Sequence, residues 1–173
     1  VHIDDARYVY LSNLSSSNNG DAGLEFNRAN DIESGSGDVS CTSCTSVGDT
    51  RGVVISDSVD IYLHDLEIHD PTSGPAISID NSGLNIGVQG GLFHLQDVST
   101  WLNYSGPAIQ INGAEGVING LDMYGNHEGI VWDADHNVER NSELSNVNLS
   151  GTGCLNLSNH GQLFGVGNII TTD

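Results

Sequence analysis

The sequence predicts an all-β protein wound as a coil that returns beneath itself, and three observations predict it. Glycine makes up 22 of 173 residues, about twice the usual ~7%. Proline is scarce, and Asn, Ser and Gly fill the spaces between apolar positions, a composition that suits many short strands joined by turns. One apolar pattern recurs at intervals of roughly 22–30 residues, the range in which repeat architectures fall. Within each interval the apolar residues alternate with period two, the mark of a half-buried strand, and no interval carries the longer period of a helix.

Two kinds of element alternate along the chain. The first is led by glycine: "AGLEFN" (22–27), "RGVVIS" (51–56), "GPAISID" (74–80), "GPAIQIN" (106–112), "GIVWDAD" (129–135) and "GCLNLSN" (153–159), with "VHID" (1–4) lacking only the glycine. Each presents two apolar residues two apart: Val1/Ile3, Leu24/Phe26, Val53/Ile55, Ile77/Ile79, Ile109/Ile111, Trp132/Ala134 and Leu155/Leu157. The second kind reads apolar, any, Asn/Asp/Gly, apolar, any, apolar. It occurs as "LSNLSS" (11–16), "LHDLEI" (63–68), "INGLDM" (118–123), "LSNVNL" (144–149) and "VGNIIT" (166–171), and with one extra residue as "VQGGLFHL" (88–95). Its third position marks a sharp corner, because Asn, Asp and Gly tolerate left-handed backbone. That assigns a corner ladder of Asn13, Asp65, Gly90, Gly120, Asn146 and Asn168, in which stacked Asn side chains can bond along the column. The interval from Asn13 to Asp65 leaves room for two units.

This pattern resembles the right-handed parallel β-helix of the pectate-lyase-like superfold. The resemblance covers essentially the whole chain as one domain, residues 1–173, of about seven coils without a capping helix. The leucine signature of leucine-rich repeats is absent. The resemblance implies parallel pairing of successive coils about 4.8 Å apart, with inward Ile, Leu and Val stacked in columns. Two stretches read as loop insertions, 33–50 and 96–105. The second holds Trp101 and Tyr104, a pair suited either to stacking on a sugar or partner or to folding back over its own coil.

The charge balance excludes several functions. Four arginines and no lysine face 23 acids, a formal net charge of -19. Such a surface repels phosphate backbones, so nucleic acid is excluded as a partner. Anionic membranes and polyuronates are disfavoured in the same way unless cations bridge, and strong self-repulsion calls for salt or calcium. No stretch reaches the length of an apolar membrane span.

The stretch "LHDLEIHD" (63–70) has the residue types of a metal site, but alignment with the other coils makes Leu63, Leu66 and Ile68 core, Asp65 a corner, and His64 and Glu67 an exposed face. Cys41 and Cys44 in "CTSC" are candidates for a local disulfide, half a metal site or free thiols, and Cys154 leaves an odd thiol for crosslinking another chain. Four sequons occur, at Asn13, Asn103, Asn148 and Asn156. Asn103, on its expected loop, reads as the most accessible; Asn148 and Asn156 are further candidates, and Asn13 is a corner.

Enzymes on the resembled scaffold work on the outer face of one sheet, along a groove for a polysaccharide. Alternation puts Asp80, Asn112 and Asp135 in one outward stack with Asp133 beside it. These carboxylates could serve as an acid–base pair for glycoside hydrolysis or as oxygen ligands for calcium, or form a solvated acidic face. Lyase chemistry needs a basic side chain at the substrate, and no arginine falls among the outward positions. The paired aspartates with Gly-His-Gly of polygalacturonases are missing. Because the first and last elements would continue one another in a second copy, the expected role is structural: an extracellular or cell-surface filament, sheath or coat, a homopolymer built by head-to-tail stacking. The alternative is a polysaccharide-acting hydrolase, lyase or carbohydrate-binding module.

Overall fold

In a computed structural model, residues 1–6, 8–28, 39–58, 60–80, 92–103, 106–134, 142–153, 155–159 and 164–172 are described. Their strands follow in the order β1 (His2–Asp4), β2 (Val9–Ser12), β3 (Ser15–Ser17), β4 (Ala22–Asn27), β5 (Val39–Val47), β6 (Arg51–Ser56), β7 (Ile61–His69) and β8 (Ile77–Asp80). The rest are β9 (Leu92–Trp101), β10 (Pro107–Asn112), β11 (Glu115–Tyr124), β12 (Glu128–Ala134), β13 (Ser142–Ser150), β14 (Asn156–Asn159) and β15 (Phe164–Thr172). Among the described residues there is no helix, and every strand pair is parallel. A seven-stranded sheet runs β1-β4-β6-β8-β10-β12-β14, and an eight-stranded sheet runs β15-β13-β11-β9-β7-β5-β2, with β3 also on β5. Each strand thus lies beneath its counterpart in the next coil, the architecture of a parallel β-solenoid.

The long strands of the second sheet are bent. In β7 the inward residues are Ile61 and Leu63, then Leu66 and Ile68, and the alternation skips one residue at Asp65. Asp65 has φ 55°, and the residues at its height in the other coils share that conformation: Asn13 (53°), Ser43 (55°), Asp97 (53°), Gly120 (76°), Asn146 (53°) and Asn168 (45°). One left-handed residue per coil therefore divides every long strand into two arms. The corner of the 92–101 coil is Asp97, four residues short of where Trp101 ends the strand, and Gly90 lies outside the described residues. The motif at 88–95 was misleading because the second arm of β9 points Val98 and Thr100 inward, and the threonine hides the apolar pattern.

Both expected insertions are corrected in the same way. Residues 39–47 form β5, whose inward residues are Val39, Cys41, Cys44 and Ser46, all buried. Residues 96–101 belong to β9. Outward Ser40, Thr42 and Thr45, the corner Ser43 and the inward Cys41, Cys44 and Ser46 hid the strand pattern of β5; residues 33–38 lie outside the described residues. Cys41 and Cys44 are joined by a disulfide, with Cα atoms 6.1 Å apart. They flank the corner residue Ser43, as Leu63 and Leu66 flank Asp65. Any pair in this relation points inward together, so the bridge follows from the bend. Cys154 lies outside the described residues.

The core lies between the two sheets as stacked columns. In the seven-stranded sheet one column is Phe26, Ile55, Ile79, Ile111 and Trp132 in register. The pair of β12 in register with Ile109 and Ile111 is therefore Ile130 and Trp132, rather than Trp132 and Ala134: Trp132 stands opposite Ile111. Trp132 leans on Phe93, with ring centroids 5.3 Å apart, and its indole N–H donates to the Ala114 carbonyl at 3.1 Å. Gly116 sits opposite Phe93 because a Cβ there would come 2.7 Å from that ring.

Where the second sheet turns back toward the first, buried polar side chains replace apolar ones. Asp49, 1% exposed, accepts from the Asn19 backbone N–H at 2.7 Å, the Asn19 amide at 2.8 Å and the Ser46 hydroxyl at 2.7 Å. Burial alone would raise its carboxyl pKa; the backbone bond from Asn19 and the side-chain bonds from Ser46 and Asn19 outweigh it, and the pKa sits below the ordinary carboxylate value. In the folded state the proton thus binds more weakly than in the unfolded chain. The stabilisation is complete above the unfolded value of about 3.9 and is lost as pH falls through the lower folded value. Asp49→Asn is expected to cost about 1–3 kcal/mol at pH 7, and urea unfolding at pH 7 and pH 3 should show the gap to wild type narrowing in acid.

Glycine is required by space at Gly52. A Cβ there would meet the Ala76 carbonyl oxygen at 2.5 Å and Ile68 Cγ2 at 2.5 Å, whereas nothing lies within 4 Å at Gly20. Gly52→Ala is expected to destabilise by about 1–3 kcal/mol, and Gly20→Ala to stay within about 0.5 kcal/mol of wild type, as measured by thermal or urea unfolding.

Candidate functional site

The outer face of the seven-stranded sheet carries the expected acidic row. Register aligns Asp4, Asn27, Ser56, Asp80, Asn112, Asp133 and Ser158 across the strands. Asp133, not Asp135, stands opposite Asn112, because the inward pair of β12 begins at Ile130 and the register moves by two residues. Asp135 lies outside the described residues. Asp80 is exposed and Asp133 half-buried. The Asn112 amide donates to Asp80 at 3.3 Å, as the Asn27 amide donates to Asp4 at 3.0 Å. Two strand spacings separate Asp80 from Asp133, about 9–10 Å along the stack.

A left-handed residue closes four of these strands: Asp5 (φ 49°), Arg28 (52°), Asp57 (46°) and Gly113 (65°). Their N–H groups bond to the carbonyls of Asn27, Ser56, Asp80 and Asp133 in the next coil. The ends of the strands, where the carboxylates sit, are thereby held coil to coil. Arg28 pairs with Asp5 at 3.0 Å, and Arg51 pairs with Asp21, whose carboxyl it holds below the ordinary value by hydrogen bond and charge. Both described arginines are thus engaged with aspartates. Arg7 and Arg140 lie outside the described residues.

The remaining sequence candidates are dispersed. Among the described residues no group of three or more His, Cys, Asp or Glu side chains is gathered as a metal site. In "LHDLEIHD", His64 bonds to Asp97 at 3.2 Å, and His69 lies against Trp101 with ring centroids 3.9 Å apart. Asp65 accepts from Ser43 at 2.6 Å, and along the same ladder Asn168 donates to Asn146 at 3.0 Å. No helix among the described residues is long and apolar enough to cross a membrane.

Asn103 is a correction. Expected to be the most accessible sequon, it is fully buried; its side-chain amide donates to the carbonyls of Gly74 at 3.0 Å and Pro107 at 2.8 Å. Asn126 sits in the coil beneath it, accepting from the Asn103 backbone N–H at 3.2 Å. Both form part of the buried polar turn rather than a loop surface. Asn148 is half-buried on the outside of β13, and Asn156 lies in β14 opposite Val131. Sequence reasoning missed the buried amides because a polar residue inside a turn reads like one on a loop; the recurrence of Asn103 and Asn126 just beyond β9 and β11 was the available signal.

No known family profile and no curated protein sequence matches the chain. Among solved structures it is similar to the catalytic domain of a GH87 α-1,3-glucanase, an aspartate-to-alanine form in complex with tetrasaccharides. The TM-score is 0.63 at 14% identity, over 99% of this chain and 39% of that one. The likeness is one of fold. This chain spans well under half the length of that domain.

Asn103→Ala is expected to destabilise the chain by about 2 kcal/mol through loss of bonds to two buried carbonyls. Expressed in a glycosylating host, the Asn103 peptide should be unmodified by mass spectrometry; a glycan there would contradict the buried placement.

Proposed function

We propose that the chain is a carbohydrate-acting domain that takes a neutral polysaccharide along the outer face of its seven-stranded sheet, with Asp80 and Asp133 as the acid–base pair of an inverting hydrolysis. The observation that carries this reading is the pair of outward carboxylates placed two coils apart across Asn112. Their separation along the stack falls at the upper end of the ~6.5–9.5 Å range of inverting glycosidases, which leaves room for the attacking water. One carboxyl donates a proton to the leaving oxygen while the other accepts one from water. Asn112 fixes Asp80 by donating to it. The fold likeness to a glucanase domain solved with tetrasaccharides supports the substrate class, and the surplus of acids favours neutral over anionic chains.

The architecture accompanying this reading is a right-handed parallel β-helix of about seven coils. Parallel crossovers of this kind are right-handed in nearly all proteins, and the first sheet has seven strands. The Cys41–Cys44 disulfide supports an extracellular or cell-surface location, where such bonds persist. Head-to-tail assembly into a filament is the weaker reading: β1, β14, β2 and β15 are edges of parallel sheets, a property of any solenoid, and no further observation favours stacking.

The test is hydrolysis of a panel of neutral glucans by the chain and by Asp80→Asn and Asp133→Asn. Each substitution is expected to reduce the rate by about 10²–10⁴-fold, with inversion at the anomeric carbon seen by NMR. Full activity in both variants, or no turnover of any glucan, would overturn the assignment of a hydrolytic pair.

A further inference from the structure

The second arm of the eight-stranded sheet has an outer face that the acidic row does not use. Its last outward position forms a row in register that runs from Ser17 through Val47, His69, Trp101 and Tyr124 to Ser150, with three rings at its middle. His69 and Trp101 are in ring contact, Trp101 is half-buried, and Tyr124 is 54% exposed. Two residues earlier in each strand runs a polar row, Glu67, Ser99, Asp122 and Asn148. Next to the strand of Tyr124 this polar row opens into a shallow groove of about 440 Å³, lined chiefly by Asp122, Asn146, Asn148, Ser150, Asn168 and Ile170.

We propose that this face is a second carbohydrate-binding site, in which a neutral oligosaccharide chain lies along the solenoid axis with sugar faces on Trp101 and Tyr124 and hydroxyls in the adjoining groove. Four features select that ligand. The aromatic row repeats at the strand spacing, so successive rings serve successive positions of an extended chain. The groove offers carboxylate, amide and hydroxyl groups, the donors and acceptors that pair with sugar hydroxyls. No lysine exists, and neither described arginine lies here, so among the described residues no fixed cation is offered to an anionic group. The aromatic groups are flat and held by their strands, so little side-chain freedom is lost on binding. The site is separate from the Asp80–Asp133 row and stands without the hydrolytic reading.

Trp101 provides the readout, since the other tryptophan, Trp132, is fully buried. Tetrasaccharides of glucose with α-1,3, β-1,3 and β-1,4 links are titrated into the chain while tryptophan emission is followed, with calorimetry in parallel. At least one is expected to give a saturable change in emission. Tyr124→Ala and Asp122→Asn, both at exposed positions that leave the core intact, should weaken that binding about tenfold, on the scale of one aromatic contact. Asp133→Asn should leave it unchanged. The proposal is overturned if no tetrasaccharide gives a saturable change, if Tyr124→Ala binds as wild type does, or if Asp133→Asn abolishes the signal. The last result would place binding on the other sheet and leave the hydrolytic reading standing; a signal lost only in Tyr124→Ala and Asp122→Asn supports this face whatever the activity of the Asp80 and Asp133 variants.

Discussion

Everything in this molecule depends on one residue per coil turning left-handed at the same height. At that residue each long strand bends, and the bend decides which side chains point inward on either side of it. For L-residues this conformation is costly, and Asn, Asp and Gly bear it best. Six of the seven corners are Asn, Asp or Gly; the other is Ser43, whose hydroxyl donates to the corner carboxylate of Asp65. Once corners stack, the register of each coil on the next is fixed. A slip by one residue would turn Leu63 and Leu66 outward and His64 inward. Parallel pairing and the apolar columns then reinforce a register that the corners have already set.

The second constraint is internal and polar. A solenoid must leave one sheet and enter the other in every coil, and the backbone groups of those turns cannot all reach water. Asp49, Asn103 and Asn126 answer this by bonding to neighbouring backbone from inside the turn. The outer surface of the turn is thereby left free of such duties, while the inside is specified by residues whose loss leaves buried groups unsatisfied. The Cys41–Cys44 bridge acts in the first sense, tying the two arms of one coil together across its corner.

The fold was legible because its signal repeats. Corner residues at 13, 65, 120, 146 and 168 and apolar pairs such as Ile77/Ile79 and Ile109/Ile111 stand in the sequence as they stand in space. What was illegible has one cause: a side chain's surroundings, unlike its spacing, are not written beside it. Ser46, Cys41, Cys44 and Thr100 are small or polar and yet inward, so β5 read as a loop and the corner at Asp97 was placed at Gly90. Asn103 carried a sequon and read as surface, though its amide is enclosed. The acidic row was found, but with Asp135 in the place of Asp133, since "GIVWDAD" offers two alternating pairs that share Trp132, and the register that sets Trp132 opposite Ile111 is not written in the sequence.

Parallel register also constrains where acids can go. Residues in one outward row sit one strand spacing apart, and like charges directly opposite destabilise a sheet. In the row Asp4, Asn27, Ser56, Asp80, Asn112, Asp133, no two acids are neighbours, and the same holds for Thr45, Glu67, Ser99, Asp122, Asn148 on the second sheet. Asp65 and Asp97 do adjoin at the corner, where Ser43 donates to one and His64 to the other. Interleaving acids with amides and hydroxyls therefore limits the repulsion between coils in these two rows. The closest approach it permits within a row is two coils, and two coils is also the spacing at which an acid and a base can hold a sugar linkage and a water between them. The same rule gives Asp80 and Asp133, with Asn112 between them, the two-coil separation on which the proposed hydrolysis rests.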